Sequence, residues 1–370
     1  VTTPTATDWL HAPCVSHPAV PPSSAHTLHT YFVTSPESPD GQWVLYFRST
    51  SADAHTGAVC IYHRHTGEER VLAPRVESED AHRQACQQWV AGGQRVVYHS
   101  CHEGPWRVYA ADPATGAITV LAEHCLLGWG QPHSPLIPLY GMHWDTTSLH
   151  DIELLDVLTG KRRTALTATA LREAYPEWVA RIYGERPLSL FFPILNPTLG
   201  RVLIKIAAPT GGHFRSPQAS LRHGFFIYDL AARRFTVQRH DWGHPAWHPA
   251  GDTLINVPNV VIDAATGAET PLPLVPRFPG SHPAWHPTAP LYVTDTKATA
   301  FGGPAGHWGL AIVRADGLAW RLLETFDFSG GPTSWRPAHP HPHFSADGAR
   351  LYSNQVAGGR AQLTVTTLTA

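Results

Sequence analysis

The amino-acid sequence predicts an all-β fold, a seven-bladed β-propeller of four-stranded antiparallel blades. Three observations predict it. One strand–turn–strand grammar recurs seven times along 370 residues. The recurring segments alternate apolar and polar residues between Gly, Asp and Pro, which is the pattern of β-meanders. Charged residues are 15% of the chain, below the usual quarter, while 34 Pro and 30 Gly supply turns rather than surface helices.

The units follow in order. SPDGQWVLYFRS (38–49) with AVCIYHRHTGEERVLA (58–73) is the first, and QWVAGGQRVVYHS (88–100) with WRVYAADPATGAITVLA (106–122) the second. PLYGMHW (138–144) with DIELLDVLTGKRRTAL (151–166) is the third, and NPTLGRVLIKI (196–206) with GFFIYDLAARRFTVQ (224–238) the fourth. HPAWHPAGDTLINV (244–257), HPAWHPTAPLYVTD (282–295) and HPHFSADGARLYSN (341–354) open the last three. A spacing of roughly 40–50 residues with four strands per unit is propeller spacing. The whole chain, 1–370, reads as a single domain. The seventh unit runs out of chain before its outermost strand, so residues within 1–34 are expected to supply that strand and close the ring, which protects the last edge. Residues 168–194 break the pattern. ALREAYPEWVARIYG within them looks helical, interrupted by Pro176, and reads as an insertion between blades.

Composition excludes several function classes. Lys and Arg total 27 against 29 Asp and Glu, with no basic run, so neither nucleic acid nor an anionic membrane is an expected partner. No apolar run reaches the length of a membrane span. No phosphate-binding glycine loop and no nucleophile elbow is present. Five cysteines without C-x-x-C spacing point to free thiols. With no recognisable signal peptide, they favour the cytoplasm over a periplasmic or secreted location. Oligomeric state leaves no trace in the sequence.

The 25 histidines are the candidates for chemistry, since imidazole can ligate metals and carry protons near neutral pH. In a propeller the first strand of each blade lines the central channel, and residues just ahead of it sit at one mouth. His244, His282, His339 and His341 hold that position in three neighbouring blades, so their imidazoles are expected to converge. Pro340 and Pro342 favour an extended chain, and in an extended chain residues two apart face the same way, which predicts that His339 and His341 point together to the axis. His343 either joins them or packs inside the channel. His248 and His286 read as turn residues. A structural repeat in which histidine merely caps strands is the plainer alternative.

The stretch HPHPHFSADGARLYSN (339–354) resembles that of the oligogalacturonate lyases, a family of seven-bladed propellers. The resemblance implies that His339 and His341 bind a metal, with His282 in GSHPAWHP as the third ligand and manganese as the ion. It implies His244 in WGHPAWHP as the proton-abstracting base, and matches Gln87 in CQQWVAGGQRVVY to a family glutamine. One position departs: three residues before His339 the family has a glutamine ligand, and here stands Arg336, which has no lone pair to offer a cation. Either three histidines hold the metal with water and substrate, or no metal binds and Arg336 clamps a substrate carboxylate itself.

Such a site would cleave a uronic-acid oligosaccharide by β-elimination: a base removes the proton beside the carboxylate, and a metal or arginine stabilises the charge that develops. Arg83, Gln87, His223, Trp335 and Arg336 are candidate substrate-binding residues. His133, Arg215, Arg222, Trp129 and Trp242 also fall near the mouth, the tryptophans more often serving as core than as sugar platforms. Two other functions compete: a non-catalytic propeller that binds protein or glycan, and a propeller glycoside hydrolase, which would require paired carboxylates at the mouth.

Overall fold

Seven four-stranded antiparallel sheets form the blades of the ring, as the sequence repeat predicts. The computed structural model describes residues 4–148, 151–216, 218–256, 259–276, 282–327 and 339–369. In six blades the strands follow chain order outward from the channel, the seventh taking its outermost strand from the N-terminus, and neighbouring strands run in opposite directions. The loops that enter first strands and those joining second to third strands therefore share one face. The loops joining first to second and third to fourth strands share the other.

Local chemistry explains the hairpins. In the D-x-x-T-G turns the aspartate side chain accepts the next two free amides: Asp112 Oδ1 takes Ala114 N and Thr115 N at 2.9 and 3.0 Å, and Asp263 Oδ1 takes Ala265 N and Thr266 N at 3.0 and 2.8 Å. The glycine that follows has positive φ, 74° at Gly116 and Gly267, where a side chain would be strained. In S-A-D-G the Ser345 hydroxyl donates to Asp347 at 2.6 Å, and Gly348 N donates to Ser345 O at 2.9 Å.

The chain ends meet in blade seven. Cys14–Pro18 pairs with Arg360–Leu368 and becomes its outermost strand, so the ring closes by an N-terminal strand. Helix α1 (Ala6–His11), capped by Thr5, puts Trp9 edge-on against Phe344 at 5.3 Å, and its indole N–H donates to Gly348 O at 3.2 Å. On the other side of the closure Arg350 grips Glu37, in the loop between the first and second strands of blade one, with two bonds of 2.7 and 2.8 Å, and the Tyr352 hydroxyl donates to the same buried carboxylate. Bidentate charge-assisted bonds of this kind fix geometry as well as charge.

The insertion is shorter than expected. Helices α2 (Ala168–Ala174) and α3 (Pro176–Tyr183) occupy it, with Thr167 capping the first and Pro176 opening the second. Residues 189–194, assigned to the insertion from sequence, belong instead to the first strand of blade four, Ser189–Leu195. Its continuous apolar run, SLFFPIL, is buried along its whole length and so lacks the alternation that marks an exposed-face strand.

Candidate metal centre and its pocket

At the face where chain enters the first strands, a pocket of about 240 Å³ opens onto the channel. Tyr31, Asp80, His82, Arg83, Phe191 and Phe192 line one part of it, and Lys205, Arg222, Trp242, His244, His282 and His339 the rest. Tyr31 and Phe32, in the segment leading from blade one's first strand, Thr27–Leu28, fill the channel beside it. The Tyr31 ring lies 4.8 Å from His341, and Phe32 lies 5.1 Å from His282.

Four imidazoles gather here. His82, His282, His339 and His341 each offer a nitrogen, and these nitrogens all lie within 4.8 Å of one another. Ring centroids separate His82 from His339 by 4.3 Å and from His341 by 4.5 Å, and His282 from His341 by 4.6 Å. Three of the four were expected from sequence. The fourth, His82, was not. It stands in EDAHRQACQQWV, ahead of the blade-two first strand Gln88–Val90. The positional rule that singled out the histidines of blades five to seven would have found it there. His244 belongs to the pocket but lies outside this group of four, with its ring 4.4 Å from that of His282.

Second strands hold the histidine segments in place. Asp295, fully buried, accepts the backbone N–H of His282 at 2.8 Å and its Nδ1–H at 2.7 Å. The carboxylate thereby fixes the tautomer and leaves Nε2, buried and without a hydrogen-bond partner, turned to the cluster. Asn256 accepts His244 N at 3.0 Å, and Asn354 donates to His339 O at 3.1 Å. Gly243 has φ 54°, and a Cβ there would collide with the Asn256 side chain, so only glycine lets His244 approach.

His339 and His341 do converge, with rings 5.5 Å apart, but not by strand alternation. His341 has φ 45°, a left-handed conformation that is costly for a residue with a side chain. Extended backbone at both residues, as predicted, is therefore wrong. A local kink, held by the bond from Asn354 N to Pro340 O at 2.7 Å, brings the two rings together.

The donor set fits a divalent cation. Both nitrogens of His341, Nε2 of His282 and Nδ1 of His82 are buried without hydrogen-bond partners. Burial, reinforced by the neighbouring imidazoles, holds His82 and His341 well below the ordinary histidine range, so their lone pairs are available at neutral pH. Such buried, uncompensated acceptors are what a cation satisfies.

The opposite wall is cationic. Arg83, 4% exposed, donates to Glu79 Oε1 at 2.8 Å, and its Nη1 is buried without a partner. The same Glu79 oxygen takes a 2.9 Å bond from His143, whose other nitrogen bonds Ser220 Oγ at 2.9 Å. Arg222 donates to Ser220 at 3.0 Å and lies 5.0 Å over Phe191. Lys205 donates to Gly243 O at 2.9 Å with its ammonium 4.5 Å over Trp242; burial, then Arg83 and Arg222, push it well below the usual lysine range. Lys205 went unnoticed in the sequence, although a lone charge inside the apolar run VLIKI is a visible signal.

Other sequence candidates land elsewhere. His223 is exposed and does not line the pocket; its neighbour Arg222 does, because adjacent strand residues face opposite ways. Gln87 is buried and also absent from the lining, while the adjacent Gln88 bonds Gly128 O and Gly130 N and ties blade two to blade three. Arg215 pairs with Glu77 at 2.9 Å, and Trp129 stacks on Tyr31 at 5.5 Å within the core. His133 and His343 line a cavity at the other mouth. His286, expected in a surface turn, is buried and bonds Gly348 O at 3.1 Å across blades. Trp335 and Arg336 lie outside the described residues.

No family model and no curated protein matches the sequence. Solved structures do match the fold. An oligogalacturonate lyase in complex with manganese superposes with a TM-score of 0.64 at 15% identity, covering 96% of this chain and 97% of that one. An oligogalacturonate lyase from Vibrio parahaemolyticus gives 0.63 at 13% identity, covering 96% and 97%. A hydrazine synthase from Kuenenia stuttgartiensis gives 0.53 at 15% identity, covering 95% and 99%. Enzymes of unlike chemistry share this scaffold, so at these identities the likeness establishes the seven-bladed propeller alone.

Proposed function

We propose that the protein is a carbon–oxygen lyase that cleaves a uronic-acid-containing oligosaccharide by β-elimination. One observation carries the reading: four imidazoles have nitrogens within 4.8 Å of one another, and three of them, His82, His282 and His339, line a pocket with Arg83 and Arg222. A cation site beside two guanidinium groups is suited to an acidic substrate.

His82, His282, His339 and His341 would hold a divalent ion, manganese by the resemblance, though an all-imidazole set suits zinc as well. When bound, that ion neutralises the substrate carboxylate and stabilises the negative charge that develops beside it. His244, outside the ligand group, takes the proton from the carbon next to the carboxylate. The C–O bond at the neighbouring carbon then breaks, and the leaving oxygen gains a proton from solvent at the open mouth. Arg83 and Arg222 orient the acid, and the buried Arg83 Nη1 supplies a donor without a protein partner. Tyr31 and Phe32 close the channel behind the site and keep water from its floor.

The glycoside hydrolase alternative fares worse. It needs two carboxylates flanking the bond, and Asp80 is the one carboxylate lining this pocket among the described residues.

The test is metal content together with absorbance of the unsaturated product on galacturonate, glucuronan, ulvan and rhamnose-capped glucuronate substrates. One of them is expected to yield product. His244→Ala is expected to lower kcat by about 10²–10⁴-fold while retaining the metal. No product from folded, metal-loaded protein across the panel would overturn the reading.

A further inference from the structure

A second depression, about 660 Å³, lies on the same face as the imidazole pocket. Its walls come from the loop joining the second and third strands of blade three (Trp144, Asp145, Thr146), from Arg186 after helix α3, and from the blade-four hairpin (Pro209, Thr210, Gly211). Both loops join second to third strands, which places them on the face that carries the histidines. Two ring contacts connect the depressions: Phe191, in the pocket wall, lies 4.6 Å from His143, and His143 lies 4.8 Å from Trp144. The same Glu79–His143–Ser220–Arg222 chain that sets the cationic wall thus also anchors the residue beside Trp144.

We propose that this depression is a distal saccharide subsite, taking an acid-bearing sugar of the same chain whose cleaved bond lies in the imidazole pocket. The proposal rests on the lyase reading above. Trp144 is half-buried, and three neighbours fix its ring: Trp106 at 5.8 Å, Phe214 at 5.3 Å and His143. A fixed, partly exposed indole is a platform for the apolar face of a sugar. Arg186, exposed and bonded through Nη1 to Tyr183 O at 3.3 Å, retains further donors for a carboxylate. Asp145 and Thr210 add acceptors for sugar hydroxyls around the platform. The lining is mixed, aromatic with charged and hydroxyl groups, which matches an acidic sugar better than an apolar ligand.

The test compares kcat/KM on the disaccharide and the tetrasaccharide of whichever acidic series, galacturonate or glucuronate, the wild type cleaves. The wild type is expected to prefer the tetrasaccharide. Trp144→Ala and Arg186→Ala are each expected to shrink that preference by about tenfold, the loss one anchoring contact of this size produces, chiefly through KM. Trp144→Phe, which keeps a ring, is expected to restore most of it. Arg186 is a surface residue, so its variant reads the subsite even if Trp144→Ala fails to fold. A wild type with no chain-length preference, or a preference that survives in Arg186→Ala, overturns the subsite and leaves the lyase reading standing. A wild type that cleaves no uronide overturns both.

Discussion

The two mouths of the channel are built from the same repeat and differ in chemistry. One holds imidazoles, arginines and a buried lysine around about 240 Å³. The other, about 460 Å³, is lined by Trp247, Trp285, Pro39, Pro132, Pro197 and Pro249 among others, with His133 and His343 at its wall. The difference follows from which loops reach each end. Loops joining first to second strands must make a tight reversal, so they are given over to Pro, Gly and Asp. Segments that enter first strands arrive from the rim of the preceding blade and carry no such demand. Reactive side chains can accumulate there without disturbing the ring.

The contrast can be tested by asking which mouth responds to substitution. The largest effect is expected for His282→Ala or His341→Ala: loss of bound metal and of elimination activity by more than about 10³-fold, with the β-sheet circular dichroism unchanged. A variant that keeps its metal would break the assignment of the four-histidine set. Next comes Asp295→Asn, which leaves every ligand in place but weakens the carboxylate that orients His282. Its metal affinity, measured by competition with a chelator, is expected to fall about 10–100-fold.

Stability is expected to depend on pH as well. Burial holds His99 and His143 down to about 4, both against the pull of Glu79. The unfolded chain binds protons to these imidazoles near pH 6.5 while the folded chain does not, so stability rises with pH in that window. It is expected to be at its plateau above about 6.5 and to fall as pH drops through 4, by up to about 3 kcal/mol per imidazole. Urea midpoints at pH 7, 5.5 and 4.5 measure this. Midpoints that do not move would mean that these rings are not buried neutral.

The smallest effect is expected at the far mouth. His133→Ala is expected to leave kcat/KM within about twofold and stability within about 0.5 kcal/mol, the usual range for surface substitutions. A large loss of activity there would show that the two ends are not chemically separate.

The ring was legible because its signals are local. Turn residues and period-two strands state blade boundaries one unit at a time, and an N-terminal segment left over from seven units implied the closing strand. Positions ahead of first strands were legible too, which is why His282, His339 and His341 appear where expected. The rest depended on contacts between blades. His82 is distant in sequence from its three companions, and nothing in its own neighbourhood repeats HPxW or HPH. The kink at His341 contradicts what two prolines suggest, because Asn354 pulls the backbone out of line. The choice of Arg222 over His223 was a matter of strand parity, which a loop of uncertain length conceals. The first strand of blade four escaped because full burial erases alternation.

Ring closure has a consequence for assembly. Chain ends meet in blade seven, so His339 and His341 lie on one flank of the seam while His82 lies in blade two, beyond blade one, on the other. No ligand can engage all four imidazoles until the seam is shut. A cation held by all four would act as a clasp across it, adding stability in proportion to the logarithm of its concentration over its dissociation constant. A chain lacking its first eighteen residues would therefore lose the clasp along with the strand, and its thermal unfolding would cease to respond to added cation.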